Sequence, residues 1–228
     1  MSELKLALFD LDGTLVDSRQ LIAVSMDEAF RKNGLDGCTY EQVRQIVGIE
    51  LFEAIPMLLP PDYPPDGAVK IGNDFREIFV RNRADGTHTE GLYPGARELL
   101  EQLDREGWLL GVATGKPRRG LDHVLAAHGM TDLFVTLNTS CTGPGKPNPR
   151  MVLDAMHETG TELHRTIMIG DSSHDIQMAL NARVRAAGVA WGFHTAAELS
   201  GAGAHSVHDD FDCLGRELSA FGRGEVAA

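Results

Sequence analysis

Short apolar runs that stop at acids or glycines alternate with helical periodicities over most of this chain. Residues 4–9, Leu4-Lys5-Leu6-Ala7-Leu8-Phe9, form the first run and end at Asp10. Runs of the same kind occupy residues 108–113, 133–137, 166–169 and 185–189. A short apolar stretch bounded in this way reads as a buried strand. Between the runs, residues 96–106 set Leu99, Leu100 and Leu103 at helical spacing, and residues 121–128 repeat the habit with Val124 and Leu125. Residues 151–159 and 176–182 do the same. The alternation predicts an α/β core, a parallel sheet with helices on both faces.

The stretch from Ser18 to Glu90 breaks the alternation, with three helical patterns and no convincing strand. Residues 21–30 form the first. The second opens at Thr39, where Thr39-Tyr40-Glu41-Gln42 is a capping box, and runs on through Val43, Ile46 and Val47. The third covers residues 69–83, with Ile71, Phe75, Ile78 and Phe79 on one face. The Pro60–Pro65 segment divides the region, because proline cannot sit inside a helix. The expected division is a catalytic core over residues 1–16 and 91–228 and a small all-α cap over residues 17–90.

Composition narrows the class. The 228 residues carry 21 Lys+Arg against 33 Asp+Glu, a formal charge of -12, which disfavours nucleic acid as the partner and requires any phosphate site to be local. No apolar run approaches the roughly 20 residues of a membrane span. Glu3 and Asp10 interrupt the start too early for a secretory leader. Cys38, Cys141 and Cys213 are scattered and odd in number, which fits small packing residues in a reducing cytoplasm. The expected partner is a small phosphorylated metabolite, with no membrane, and the protein a monomer or homodimer.

Ligands of open parallel sheets bind at the carboxyl ends of strands. After the first strand stand Asp10-Leu11-Asp12-Gly13-Thr14, after the second Thr114-Gly115-Lys116, beyond the third Lys146, and after the fourth Gly170-Asp171 through Asp175. Carboxylates, a hydroxyl beside a glycine, and a lysine are what holding a divalent cation and a phosphate together requires. Asp10 and Asp12 share a strand face, so one carboxylate could attack phosphorus while the other serves the leaving oxygen. Each motif alone also has a plainer reading: an Asx turn closing a strand, a helix N-cap at Thr114, a solvated lysine, a dipole-favoured acid at Asp175. Their order, each beyond its own strand, is the specific signal.

In that order they resemble the four motifs of the haloacid dehalogenase superfamily, most closely its phosphoglycolate phosphatase-like branch with a helical cap after the first motif. Asp10-Leu11-Asp12-Gly13-Thr14-Leu15-Val16-Asp17-Ser18 is similar to the first motif almost letter for letter. The resemblance implies a Rossmann-like core of strand order 5-4-1-2-3 and a Mg2+-dependent phosphatase acting through a phospho-aspartate. It implies Asp10 as nucleophile and metal ligand, and Asp12 as general acid and base whose carbonyl also meets the metal. Thr114, Gly115 and Lys146 would hold the phosphoryl group, Asp171 would complete the metal site, and Asp175 would support it. An acid at position 12 distinguishes phosphoryl chemistry from dehalogenation, where the leaving halide needs no proton. Gly115 stands where the branch often has Asn. In the cap, Arg44, Gly48 and Arg76 are candidate substrate contacts, with Arg81 and Arg83 as further cations, and His174 lies inside the fourth motif in a supporting or surface position.

Two other readings fit parts of the pattern. A phosphomutase of the same superfamily, similar to beta-phosphoglucomutase, would use the same two aspartates but return phosphate to a sugar. A non-catalytic receiver-like signalling module also combines acids, Thr and Lys on a parallel sheet, but needs neither this length nor the helical insertion.

Overall fold

The computed structural model describes residues 4–225. Its first strand, β1 (Leu6–Phe9), is buried along its length and delivers Asp10 at its end. A short hairpin strand β2 (Val16–Asp17) follows, then four helices: α1 (Arg19–Lys32), α2 (Tyr40–Arg44), α3 (Leu51–Ala54) and α4 (Pro65–Ala84). Strand β3 (Gly91–Leu92) returns antiparallel to β2, so the helical insertion leaves and re-enters the core through one two-stranded ribbon. The remainder alternates: α5 (Ala96–Arg105), β4 (Leu109–Thr114), α6 (Arg118–Ala127), β5 (Thr136–Thr139), α7 (Arg150–Thr159), β6 (Thr166–Gly170), α8 (Ser173–Asn181), β7 (Arg185–Val189), α9 (Ala196–Gly201), β8 (Ser206–His208) and α10 (Phe211–Gly222).

The large sheet has the order β5-β4-β1-β6-β7-β8, parallel throughout. The five members from β5 to β7 follow the expected order, and β8 adds an edge strand beyond β7 that sequence reading did not anticipate. Strand alternation explains the two-sided core. Ala7 and Phe9 face one layer with Leu100, Leu103, Leu121 and Leu218, while Leu6 and Leu8 face the other with Met151, Val152, Ile176 and Met178. Each fully buried side chain of this size contributes about 1.5–3 kcal/mol by leaving water. The cap has its own apolar core, in which Met26, Ala29 and Phe30 of α1 pack against Ile71 and Ile78 of α4.

Local chemistry moved several boundaries. The capping box at Thr39 is present, but α2 stops at Arg44 and gives way to turns before Gly48. Helix α4 begins at Pro65, where proline at the first helical position loses no hydrogen bond, instead of at residue 69. Strand β5 lies three residues later than its apolar run, because Thr131–Leu133 form a 3-10 turn. The three cysteines are free thiols. Among the described residues no helix is long and apolar enough to cross a membrane.

Candidate active site

The carboxyl ends of β1, β4 and β6 meet under the cap. Asp10 and Asp12 leave β1 and open onto a cavity of about 1260 Å3 between cap and core, shared with Thr114, Gly115, Lys116 and Ser140. Gly13 turns the chain between Asp12 and Thr14 with φ +90°, and a Cβ there would stand 2.3 Å from the Asp171 carboxylate, so only glycine lets the first and fourth motifs close together.

Lys146 is wholly buried, and its Nζ lies 2.8 Å from Asp10 Oδ1 and 2.6 Å from Asp175 Oδ1. Burial works against its charge, but Asp10 and Asp175 outweigh that and raise its pKa. Asp171 accepts from the Thr14 hydroxyl at 2.8 Å and from the Phe193 backbone N–H at 2.7 Å. Asp175 caps its own helix, accepting from the backbone and hydroxyl of Ser172 in a reciprocal capping box. Each of Asp10, Asp171 and Asp175 brings a carboxylate oxygen within 4.8 Å of the others. Burial foremost pushes the Asp10 carboxyl up to about 6, with Asp175 and Asp12 adding to it and Lys146 opposing. Burial, then Asp10 and Asp175, likewise raise Asp171 well above the usual carboxylate range. Three buried carboxylates with a single lysine among them leave negative charge uncompensated, and an all-oxygen donor set suits a hard divalent cation. The residues present therefore fit a metal ion.

The Asp12 side chain turns away from that cluster: both its oxygens accept from Lys116 Nζ, at 2.9 and 3.0 Å. Thr114 ends β4, buried, with its hydroxyl accepting from the Lys116 backbone N–H at 3.2 Å. At Gly115 a Cβ would fall 2.6 Å from the Gly48 carbonyl oxygen and 3.1 Å from that of Ile49. The cap loop thus rests directly on the second motif, and a side chain at Gly115 would run into its backbone.

The cap candidates separate. Gly48 reaches the site: it lines the cavity, and a Cβ added there would stand 3.2 Å from the Ser172 hydroxyl and 3.9 Å from the Lys146 side chain. Arg76 lines the cavity with its guanidinium 4.4 Å over the Phe52 ring, and Arg83 also lines it while pairing with Glu90 at 3.3 Å. Arg44 does not: it donates to the Phe193 carbonyl at 2.9 Å and to Glu198 at 2.9 and 3.1 Å, binding cap to core outside the cavity. Arg81 pairs with Glu28 on the cap surface. His174 Nε2 lies 3.0 Å from the Gln45 carbonyl, a second cap–core link. Sequence reading included Thr14, Lys116 and Ser172 in its motifs without giving them a role, and it gave none to Phe193 or Glu90; Thr14, Ser172 and Phe193 orient the acids. Lys116 was visible as the last residue quoted for the second motif, whereas nothing local marks Glu90.

The family model described as haloacid dehalogenase-like hydrolase matches residues 7–189. A phosphoglycolate phosphatase of Vibrio vulnificus is 34% identical over 198 residues, covering 84% of this chain and 86% of that protein. One from Agrobacterium fabrum is 31% identical over 189 residues, covering 82% and 81%. The crystal structure of a predicted phosphoglycolate phosphatase from Haemophilus somnus superposes with a TM-score of 0.80 at 26% identity, covering 95% of this chain and 99% of that one. With the motifs at four strand ends and a family match across most of its length, the chain belongs to the haloacid dehalogenase-like hydrolases, in their phosphoglycolate phosphatase-like branch.

Proposed function

We propose that this protein is a Mg2+-dependent phosphatase that hydrolyses small, phosphoglycolate-like phosphate monoesters through a phospho-aspartate on Asp10. The observation that supports it most is the pairing at the end of β1: Asp10 held by buried Lys146, and Asp12 two residues on, both open to one cavity. Asp10 attacks phosphorus, and the bond to the ester oxygen breaks as Asp12 gives that oxygen a proton. Asp12 then takes a proton from the water that attacks the phospho-aspartate, which releases inorganic phosphate and restores Asp10. Lys146 offsets the charge of the nucleophile and the phosphoryl group, and Thr114 with the Gly115 backbone holds the phosphoryl oxygens. Asp10, Asp171 and the Asp12 carbonyl would hold magnesium, with Asp175 in support, and the ion would supply Lewis-acid stabilisation of phosphoryl charge.

Residues 17–90 act as the cap, closing to exclude water from the first step and opening to admit it to the second. The names of the related proteins support a small anionic ester, the net charge of -12 argues against nucleic acid, and the free cysteines fit the cytoplasm. The protein would act there, away from membranes, as a monomer or homodimer. Phosphate release from phosphoglycolate, sugar phosphates, nucleotides and pyrophosphate, with magnesium and with chelator, tests the reading. Magnesium-dependent release is expected, and no release from any ester would overturn it.

A further inference from the structure

Lys116 is buried between two acids. Its Nζ meets both oxygens of Asp12, at 2.9 and 3.0 Å, and Glu90 Oε1 at 2.8 Å, with 7% of the lysine side chain and 5% of the glutamate exposed. Burial opposes its charge, but Asp12 and Glu90 together hold its pKa above the ordinary value. Glu90 stands where the chain re-enters the core, just before β3. Its backbone carbonyl is 2.7 Å from His128 Nε2 of the core, and its second oxygen is 3.3 Å from Arg83 on cap helix α4. Lys116 Nζ also lies 5.0 Å from the centre of the Phe79 ring on α4. A continuous chain of contacts therefore runs from the cap helix through Arg83, Glu90 and Lys116 to Asp12.

A bare aspartate side chain has two rotatable bonds and several staggered positions open to it. An ammonium that engages both oxygens selects one of them. Burying a lysine is costly unless it is paired, and the two acids supply that pairing. Neutralising Glu90 alone would not require both Asp12 oxygens. We propose that Lys116 is a positioning residue for the acid/base carboxyl of Asp12, and that Glu90 anchors it and couples that carboxyl to the cap through Arg83. The proposal rests on Asp12 being the general acid, as in the function proposed above.

The test uses kcat/KM for a series of alkyl and aryl phosphates, because a poor alkoxide leaving group needs the proton and 4-nitrophenolate does not. Lys116→Met should lose about tenfold or more beyond its loss on 4-nitrophenyl phosphate when the substrate is an alkyl phosphate. Glu90→Gln should show the same bias, about threefold or more, and a loss equal on both substrate classes would overturn its role as anchor. Asp12→Asn combined with Lys116→Met should cost alkyl phosphates no more than Asp12→Asn alone. Equal loss of Lys116→Met on both substrate classes, or additive losses in the double variant, would overturn the proposal. Asp12→Asn with no alkyl-specific loss would instead overturn the acid/base assignment on which it rests.

Discussion

A side chain at position 115 has no room while the cap loop sits where it does. The Gly48 and Ile49 carbonyls approach within 2.6 and 3.1 Å of where its Cβ would be, and backbone cannot swing aside as a flexible side chain can. Gly115→Ala should therefore lift the 47–50 loop, cost about 1–3 kcal/mol of stability, and lower kcat/KM. Thermal unfolding and steady-state kinetics would read both effects, and a variant equal to wild type in each would mean that the loop does not rest on Gly115 during turnover. The same scale explains what could be read from sequence. Asp10 and Asp171 directly follow a buried apolar strand and Thr114 ends one, so their positions were legible from the pattern of runs. Glu90 was not, because its partners Lys116 and Arg83 come from a strand end and a cap helix, and such meetings are set by packing alone.

At the scale of elements, β7 was legible as the run at residues 185–189, but the ribbon β2–β3 and the edge that β8 and α10 add beside β7 were invisible to hydrophobic patterning. Val16–Asp17 and Gly91–Leu92 are too short to show a period. Ser206–His208 is only half-buried, held as a strand by β7 on one side and by charge on the other. That charge is Glu217 of α10, which accepts from Arg185 of β7 at 2.7 Å and bonds His208 of β8. Burial would raise the Glu217 pKa, but the hydrogen bonds from His208 and Arg185 prevail and lower it from 4.5 to about 2. A carboxylate depressed on folding stabilises above its unfolded pKa and loses that contribution as pH falls through the folded one. Glu217→Gln should thus lose on the order of 1–3 kcal/mol at neutral pH and flatten the fall in stability between pH 4.5 and about 2. Urea unfolding over that range checks it, and an unchanged acid limb would remove Glu217 from the account.

The whole molecule balances a stable scaffold against a site that repels itself. Two apolar layers enclose the sheet, yet Asp10, Asp171 and Asp175 are buried with their carboxylates facing one another. The Asp10 carboxyl rises from 3.8 to about 6, so the folded state binds the proton more tightly than the unfolded one between those values. Without metal this group therefore lowers stability as pH rises from 3.8 to about 6. A bound divalent cation reverses the cost, by about 2.7 kcal/mol at a hundred times its Kd. Asp171→Asn should keep its bonds, since an amide oxygen still accepts from Phe193 N–H and the Thr14 hydroxyl can reverse its role. The variant should melt higher than wild type in chelator and gain little from magnesium. A wild-type response to magnesium would remove Asp171 from the metal site.

If the phosphoryl group passes through Asp10, acid quenching during turnover traps it there. Mass analysis of the quenched protein should place one phosphoryl group on the peptide bearing Asp10, lost on hydroxylamine treatment as an acyl phosphate is. Asp10→Asn should show neither the adduct nor release of phosphate. Turnover by Asp10→Asn at the wild-type rate, or a phosphoryl group on any other residue, would contradict the account.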